Sequence, residues 1–132
     1  GFCLRTTDRS TVALVLNDGR TESVWDCDPD SLSRGKLHHL AAIVDGGPKL
    51  IVFVVDGAVN DGGEHRQFGW GRYNPNLRGV NGSVVSGIGP SAGETPNRLR
   101  IAPSMLGKIL SLRLYDRALM TSEAIANYRA GI

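Results

Sequence analysis

Leu37-His38-His39-Leu40-Ala41-Ala42-Ile43-Val44, then Asp45-Gly46-Gly47-Pro48-Lys49, then Leu50-Ile51-Val52-Phe53-Val54-Val55-Asp56-Gly57 is the stretch that decides the fold. Two apolar runs joined by turn-forming residues read as a hairpin, with strands over 37–44 and 50–55. Leu50 to Val55 has no polar face, a pattern expected of a strand at the centre of two packed layers. It is the first candidate for the core. Asp56-Gly57 then turns the chain into a short strand at Ala58-Val59.

Toward the N-terminus the same punctuation predicts a meander: Phe2 to Thr6, Thr11 to Leu16 and Thr21 to Cys27, with Asn17-Asp18-Gly19-Arg20 as a hairpin signal. In the middle strand Val12, Leu14 and Leu16 share one face and Ala13 and Val15 the other, so both faces are expected to be covered. A two-residue turn at Asp18-Gly19 sets Trp25 across from Val12, with core packing as its role, and Cys27 across from Ser10. A turn at Asp8-Arg9 sets Cys3 across from Leu14. These registers hold the two cysteines well beyond the ~7 Å Cα separation a disulfide allows, so two free thiols are expected.

Toward the C-terminus, Gly, Asn, Ser and Pro dominate from Asn60 to Pro96, far beyond the ~4 to 6 residues of a median connection. Regularity returns at Arg98 to Ala102 and at Lys108 to Leu114. There Ile109, Ser111 and Arg113 alternate with Leu110, Leu112 and Leu114, which predicts a strand with one dry face. Thr121-Ser122-Glu123 supplies an N-cap hydroxyl and a first-turn acid, and Ala124, Ile125 and Tyr128 share a face of the short helix that ends before Gly131.

Composition bounds the rest. A chain of 132 residues fits a single domain able to bury its own core. Its 15 Lys and Arg against 13 Asp and Glu leave a net charge of +2, too little for a nucleic-acid footprint. The longest apolar run, Leu50 to Val55, falls far short of the ~20 residues of a membrane-spanning helix. With 17 Gly and 6 Pro, the composition favours short strands joined by tight turns.

The paired segments 37–42 and 49–57 resemble the paired strands of concanavalin A-like, laminin G-like jelly-roll domains, which often show Trp-His-His-Val-Ala and then Tyr-Val-Asp-Gly. Leu99-Arg100-Ile101, Gly107-Lys108-Ile109 and Leu112-Arg113-Leu114-Tyr115-Asp116-Arg117-Ala118-Leu119 through Ser122-Glu123-Ala124-Ile125 resemble the family's closing strand and helix. Together they cover about half the chain. Leu37 departs from the pattern, standing where the family often has Trp. The resemblance implies an all-β antiparallel sandwich, a jelly roll with one short C-terminal helix, spanning residues 1–132. It also implies further strands ahead of Gly1, one of them beside the C-terminal strand. The chain is therefore expected to be the C-terminal part of a longer protein, or to have another copy or chain cover the gap. Export to the cell surface, periplasm or extracellular space follows from the same likeness.

Related folds include glycoside hydrolases, which set two carboxylates close together on one strand. Here Glu22, Glu64, Glu94 and Glu123 are scattered, and no phosphate loop or zinc helix is present, so no catalytic residue is nominated. Asp26, Asp28 and Asp30 alternate after a strand and form the candidate metal site; calcium, which takes 6 to 8 oxygens, is the ion they suit. The competing reading is an Asp-Pro turn with Asp30 capping Ser31-Leu32-Ser33. His38 and His39, adjacent in a strand, point to opposite faces and read as structural.

The segment His65-Arg66-Gln67-Phe68-Gly69-Trp70-Gly71-Arg72-Tyr73-Asn74 is the candidate ligand site. Trp70 and Tyr73 offer planes for the C–H faces of a sugar, and Arg72, His65 and Asn74 offer polar partners for its hydroxyls. The competing reading has Phe68 and Trp70 pin a long loop onto the sandwich. The function expected is thus a non-catalytic carbohydrate-binding module of a larger protein, with a glycan or polysaccharide as partner. The alternative is a structural or protein-interaction module that packs on a neighbouring domain or a second chain.

Overall fold

Period-two alternation in the first sixty residues becomes two antiparallel sheets in a computed structural model, which describes residues 2–17, 22–48, 50–62, 101 and 105–131. The described elements are β1 (Phe2–Thr6), β2 (Val12–Asn17), β3 (Glu22–Asp26), β4 (Leu40–Asp45), β5 (Leu50–Val55), β6 (Ala58–Asn60) and the helix α1 (Thr121–Ala130). One sheet has the order β1-β2-β3 and the other β4-β5-β6. No cis peptide bond occurs among these residues.

The two sheets share a core. Val12, Leu14 and Leu16 of β2, Trp25 of β3 and Cys27 just beyond it cluster with Ile51, Phe53 and Val55 of β5. On the opposite side of the second sheet, Ile43 and Val54 meet Ala124, with Leu119 and Ile125 packed around them. The strand without a polar face is thus covered on both sides, by the first sheet and by α1. Phe53 is 1 % exposed, and burying such a ring stabilises the fold by about 1.5–3 kcal/mol.

Both N-terminal registers differ from expectation. Cys3 faces Val15 rather than Leu14. The connection is longer than two residues: the Thr7 N–H donates to the Thr11 carbonyl at 2.9 Å, and Ser10 takes a left-handed φ of 52°. Trp25 faces Leu14 rather than Val12, because Asn17 pairs with Glu22 and four residues separate them. A shift of two positions preserves the facing, so Trp25 still enters the core. The Cys27 N–H donates to Val12 O, three residues along β2 from the partner of Cys3. Both thiols are free, Cys3 exposed and Cys27 buried.

Two further expectations are corrected. Lys108–Leu114 forms no strand, and the leucines of its intended dry face, Leu110, Leu112 and Leu114, are 58 %, 52 % and 65 % exposed. A strand exists only where a neighbour accepts its backbone bonds, and among the described residues none pairs with this segment. At α1 the N-cap is Met120, not a hydroxyl residue. The Glu123 carboxylate instead accepts the Met120 N–H at 2.8 Å and two bonds from Arg117 at 2.7 and 2.8 Å.

Candidate functional site

The β5–β6 turn organises the polar chemistry around the sequence pair His38-His39. Asp56 and Gly57 both take left-handed φ values, 50° and 81°, as a two-residue hairpin turn of right-handed twist requires. That turn aims the Asp56 carboxylate back at the chain entering β4. Oδ2 lies 2.6 Å from His38 Nδ1, Oδ1 accepts the His39 N–H at 2.8 Å, and the Asp56 N–H donates to His39 O at 2.9 Å. Burial alone would raise the Asp56 pKa. The His39 N–H, the His38 hydrogen bond and the charges of the two rings outweigh it and hold the group below its ordinary value.

An ionised carboxylate only accepts, so His38 Nδ1 carries a proton and donates it to Asp56. His38 Nε2 meets the backbone of Ser33: it accepts the Ser33 N–H at 2.9 Å, and the Ser33 carbonyl lies 3.2 Å from the same nitrogen. Carboxylate and imidazole are arranged like the base and orienting acid of a hydrolase, but the third partner is main chain. This histidine therefore ties the 33–38 loop to the hairpin turn. His39 goes the other way, its ring centroid 5.7 Å from that of Tyr128 on α1. Its Nδ1 is buried with no hydrogen-bond partner among the described residues. The two rings point apart as expected, but residues 37–39 precede β4 (Leu40–Asp45) instead of forming part of the expected 37–44 strand.

The three aspartates proposed for calcium take separate partners. Asp26 forms an ion pair with Arg9 of the β1–β2 loop. Asp28 Oδ1 accepts the N–H groups of Asp61 and Gly62 at 3.2 and 2.7 Å. Asp30 sits at a left-handed φ of 56°, and its N–H donates to Arg9 O at 3.0 Å. Among the described residues no group of three or more His, Cys, Asp or Glu side chains is placed to hold a metal ion. Beneath this loop Thr11 Oγ1 and Ser31 Oγ lie 2.7 Å apart, with Cys27 Sγ 3.8 Å from Ser31. Burial pushes the Cys27 thiol up, against hydrogen bonds from Thr11 and Ser31 that pull it down, so it stays protonated at neutral pH.

Trp70, Tyr73, Arg72, His65 and Asn74 lie outside the described residues, as do Phe68 and the whole of 63–100. Within the described part, an open depression of about 420 Å³ lies between the β1–β2 loop and β3, lined by Arg5, Thr6, Thr7, Asp8, Arg9, Val24 and Asp26. Six of its seven lining residues carry polar side chains, but their alkyl parts and Val24 make the surface itself about as apolar as polar. The Arg9 guanidinium is fixed by Asp26, while the rest of the rim offers hydroxyls, a carboxylate and the Arg5 guanidinium.

The other exposed chemistry is apolar. Met105, Leu106, Ile109, Leu110, Leu112 and Leu114 all lie open within ten residues. Sequence reasoning found the alternation of this segment but not its exposure, and it missed Asp56 as the group that gathers the histidines. The signal for Asp56 was present in the Asp-Gly turn following an apolar strand. No helix among the described residues is long and apolar enough to cross a membrane. Comparison with protein-family models, curated proteins and solved structures finds no match for this chain.

Proposed function

We propose that this chain is a non-catalytic recognition module, a β-sandwich of jelly-roll type akin to the concanavalin A-like and laminin G-like domains, that docks on a neighbouring domain or a second chain. The core shared by the two sheets supports the sandwich. The observation that carries the docking function is the row of exposed leucines at 110, 112 and 114, half or more open to solvent on a segment that pairs with no strand among the described residues. Apolar side chains gathered in one place mark a surface that another molecule covers, whereas scattered ones do not. The Leu112→Ala variant tests this in urea unfolding. An exposed leucine changes stability by no more than about 0.5 kcal/mol. A loss of about 2–5 kcal/mol means the leucine is core in the isolated chain, and the docking reading falls.

A second reading, glycan binding, draws support from the depression of mixed polarity beside Arg5 and Arg9, whose hydroxyls, guanidinium groups and carboxylates suit vicinal hydroxyls. In that reading Trp70 and Tyr73 supply the stacking platform. A glycan array, run with calcium and with chelator, tests it together with the role of Asp26, Asp28 and Asp30. Binding to one sugar class that Trp70→Ala removes establishes it, and a blank array from folded protein sets it aside.

A further inference from the structure

We propose that His38 is a proton-operated latch on the 33–38 loop: the neutral ring holds the Ser33 N–H, and the charged ring lets it go. This is independent of the docking and glycan readings above. Histidine is the side chain that ordinarily changes charge between about pH 5 and 8. In the neutral ring one nitrogen donates and the other accepts, whereas in the charged ring both donate. His38 Nδ1 donates to Asp56 Oδ2 at 2.6 Å, so Nε2 is the accepting nitrogen, and it takes the Ser33 N–H at 2.9 Å. A second proton can arrive only at Nε2. There it meets the hydrogen that Ser33 already presents.

The ring is not free to turn aside. Its Nδ1–H is held by a carboxylate that is itself fixed, because Asp56 Oδ1 accepts the His39 N–H at 2.8 Å and the Asp56 N–H donates to His39 O at 2.9 Å. Charging the ring strengthens its hold on Asp56, since charge-assisted hydrogen bonds are roughly twice as strong as neutral ones. The displacement therefore falls on the loop. Ser33 O lies 3.2 Å from Nε2, but the charged ring can donate to it only once the Ser33 N–H has swung out of the gap. The loop is lightly held. The Leu32 N–H donates to Ser10 O at 2.9 Å on one side and His38 is tied to Asp56 on the other, while Ser33 to Leu37 are all exposed. Between those ends, besides the bond to His38, the described hydrogen bond is the Lys36 N–H to Ser33 O at 3.4 Å. Of the titratable groups on the surrounding elements, Asp56 of the β5–β6 turn meets the His38 ring, whereas His39 and Tyr128 of α1 face each other. Arg34 and Lys36 of the loop form no ion pair among the described residues, so no second charge holds the loop when Ser33 is released.

The test is a titration of the whole chain by nitrogen and proton NMR over about pH 8 to 5, following the ring nitrogens of His38 and His39 and the backbone amide of Ser33. The Ser33 amide signal is expected to move with the His38 midpoint. Its hydrogen exchange, taken relative to an unstructured chain at the same pH, is expected to quicken about two- to tenfold as the ring charges, the worth of one ordinary hydrogen bond. Ser33→Ala keeps the N–H and should show the same step. His38→Gln has no titrating group at this position and should abolish it. A Ser33 amide that stays unmoved while His38 titrates, or that follows the His39 midpoint, overturns the latch, as does a His38 ring that keeps one protonation state throughout the range. Loss of the step in Ser33→Ala would assign it to the hydroxyl and overturn it equally. Should His38→Gln fail to fold, the wild-type and Ser33→Ala titrations decide the matter by themselves.

Discussion

Replacing Asp56 by Ala removes the group on which three segments converge. The carboxylate accepts the His39 N–H and the His38 Nδ1–H, and its backbone occupies a left-handed turn position. Hydrogen bonds to a charged group contribute about 1.5–3 kcal/mol each, and the lower end applies because the Asp56 side chain is 37 % exposed. Alanine at φ 50° adds a further cost of about 1 kcal/mol that Asp and Asn largely escape. The expected loss is about 3–4 kcal/mol for Asp56→Ala. It is about 1–2 kcal/mol for Asp56→Asn, which keeps the turn and one acceptor. Urea unfolding at neutral pH, followed by tryptophan fluorescence to which the buried Trp25 contributes, measures both. The pH dependence follows from the lowered Asp56 pKa. Below the ordinary carboxylate value near ~3.9 the unfolded chain takes up the proton first, so this contribution is complete above that pH and is lost as pH falls through the lower folded value. Asp56→Asn should flatten that part of the acid limb. A loss under ~1 kcal/mol for Asp56→Ala, or an acid limb identical in the Asn variant, would show that the histidine tie contributes little.

Gly57→Ala should cost about 2 kcal/mol or more, because φ is 81° and the new Cβ would stand 2.5 Å from a ring carbon of Tyr128. Tyr128→Ala in the same chain should recover part of that loss in a double-mutant cycle, and no coupling would mean that α1 does not rest on the turn. In native protein a thiol reagent should modify Cys3 quickly and Cys27 only on unfolding, since Cys27 is buried and its pKa is raised; two equally fast thiols would contradict the buried cluster. Asp28→Ala should lower stability by about 1–2 kcal/mol by leaving the buried Gly62 N–H without its acceptor, and an unchanged unfolding midpoint would contradict that role.

The hairpin of 37–57 was legible because its two signals agree: an apolar run of strand length and turn residues on both sides of it. The structure puts β5 at its expected bounds and β1 likewise. What the residues did not disclose is register. The Asp8-Arg9 and Asp18-Gly19 turns predict two-residue connections, whereas Ser10 and the residues after Asn17 lengthen them, and each added residue slides the partner along. Trp25 kept its core role because a slip of two returns the same face. The candidate calcium site was read from spacing alone, and spacing does not tell whether carboxylates converge or each takes a local partner. Asp26 found Arg9, seventeen positions earlier, and Asp28 found Gly62, thirty-four positions on. The segment Lys108–Leu114 shows the reverse limit: its alternation is plain, but alternation states a capacity for pairing and not the presence of a partner.

The position of β5 has a consequence for how the protein loses structure. Hydrogen-bonded to β4 on one edge and β6 on the other, and covered by the first sheet and by α1, its amides should be the last to exchange with deuterated solvent. Exchange there requires both interfaces to open together, so β5 reports the global event, while β1, with no buried residue, reports local fraying. The same geometry sets mutational tolerance. A polar substitution anywhere from Ile51 to Val55 damages one layer or the other, whereas Phe2–Thr6 can drift in sequence at little cost to the fold.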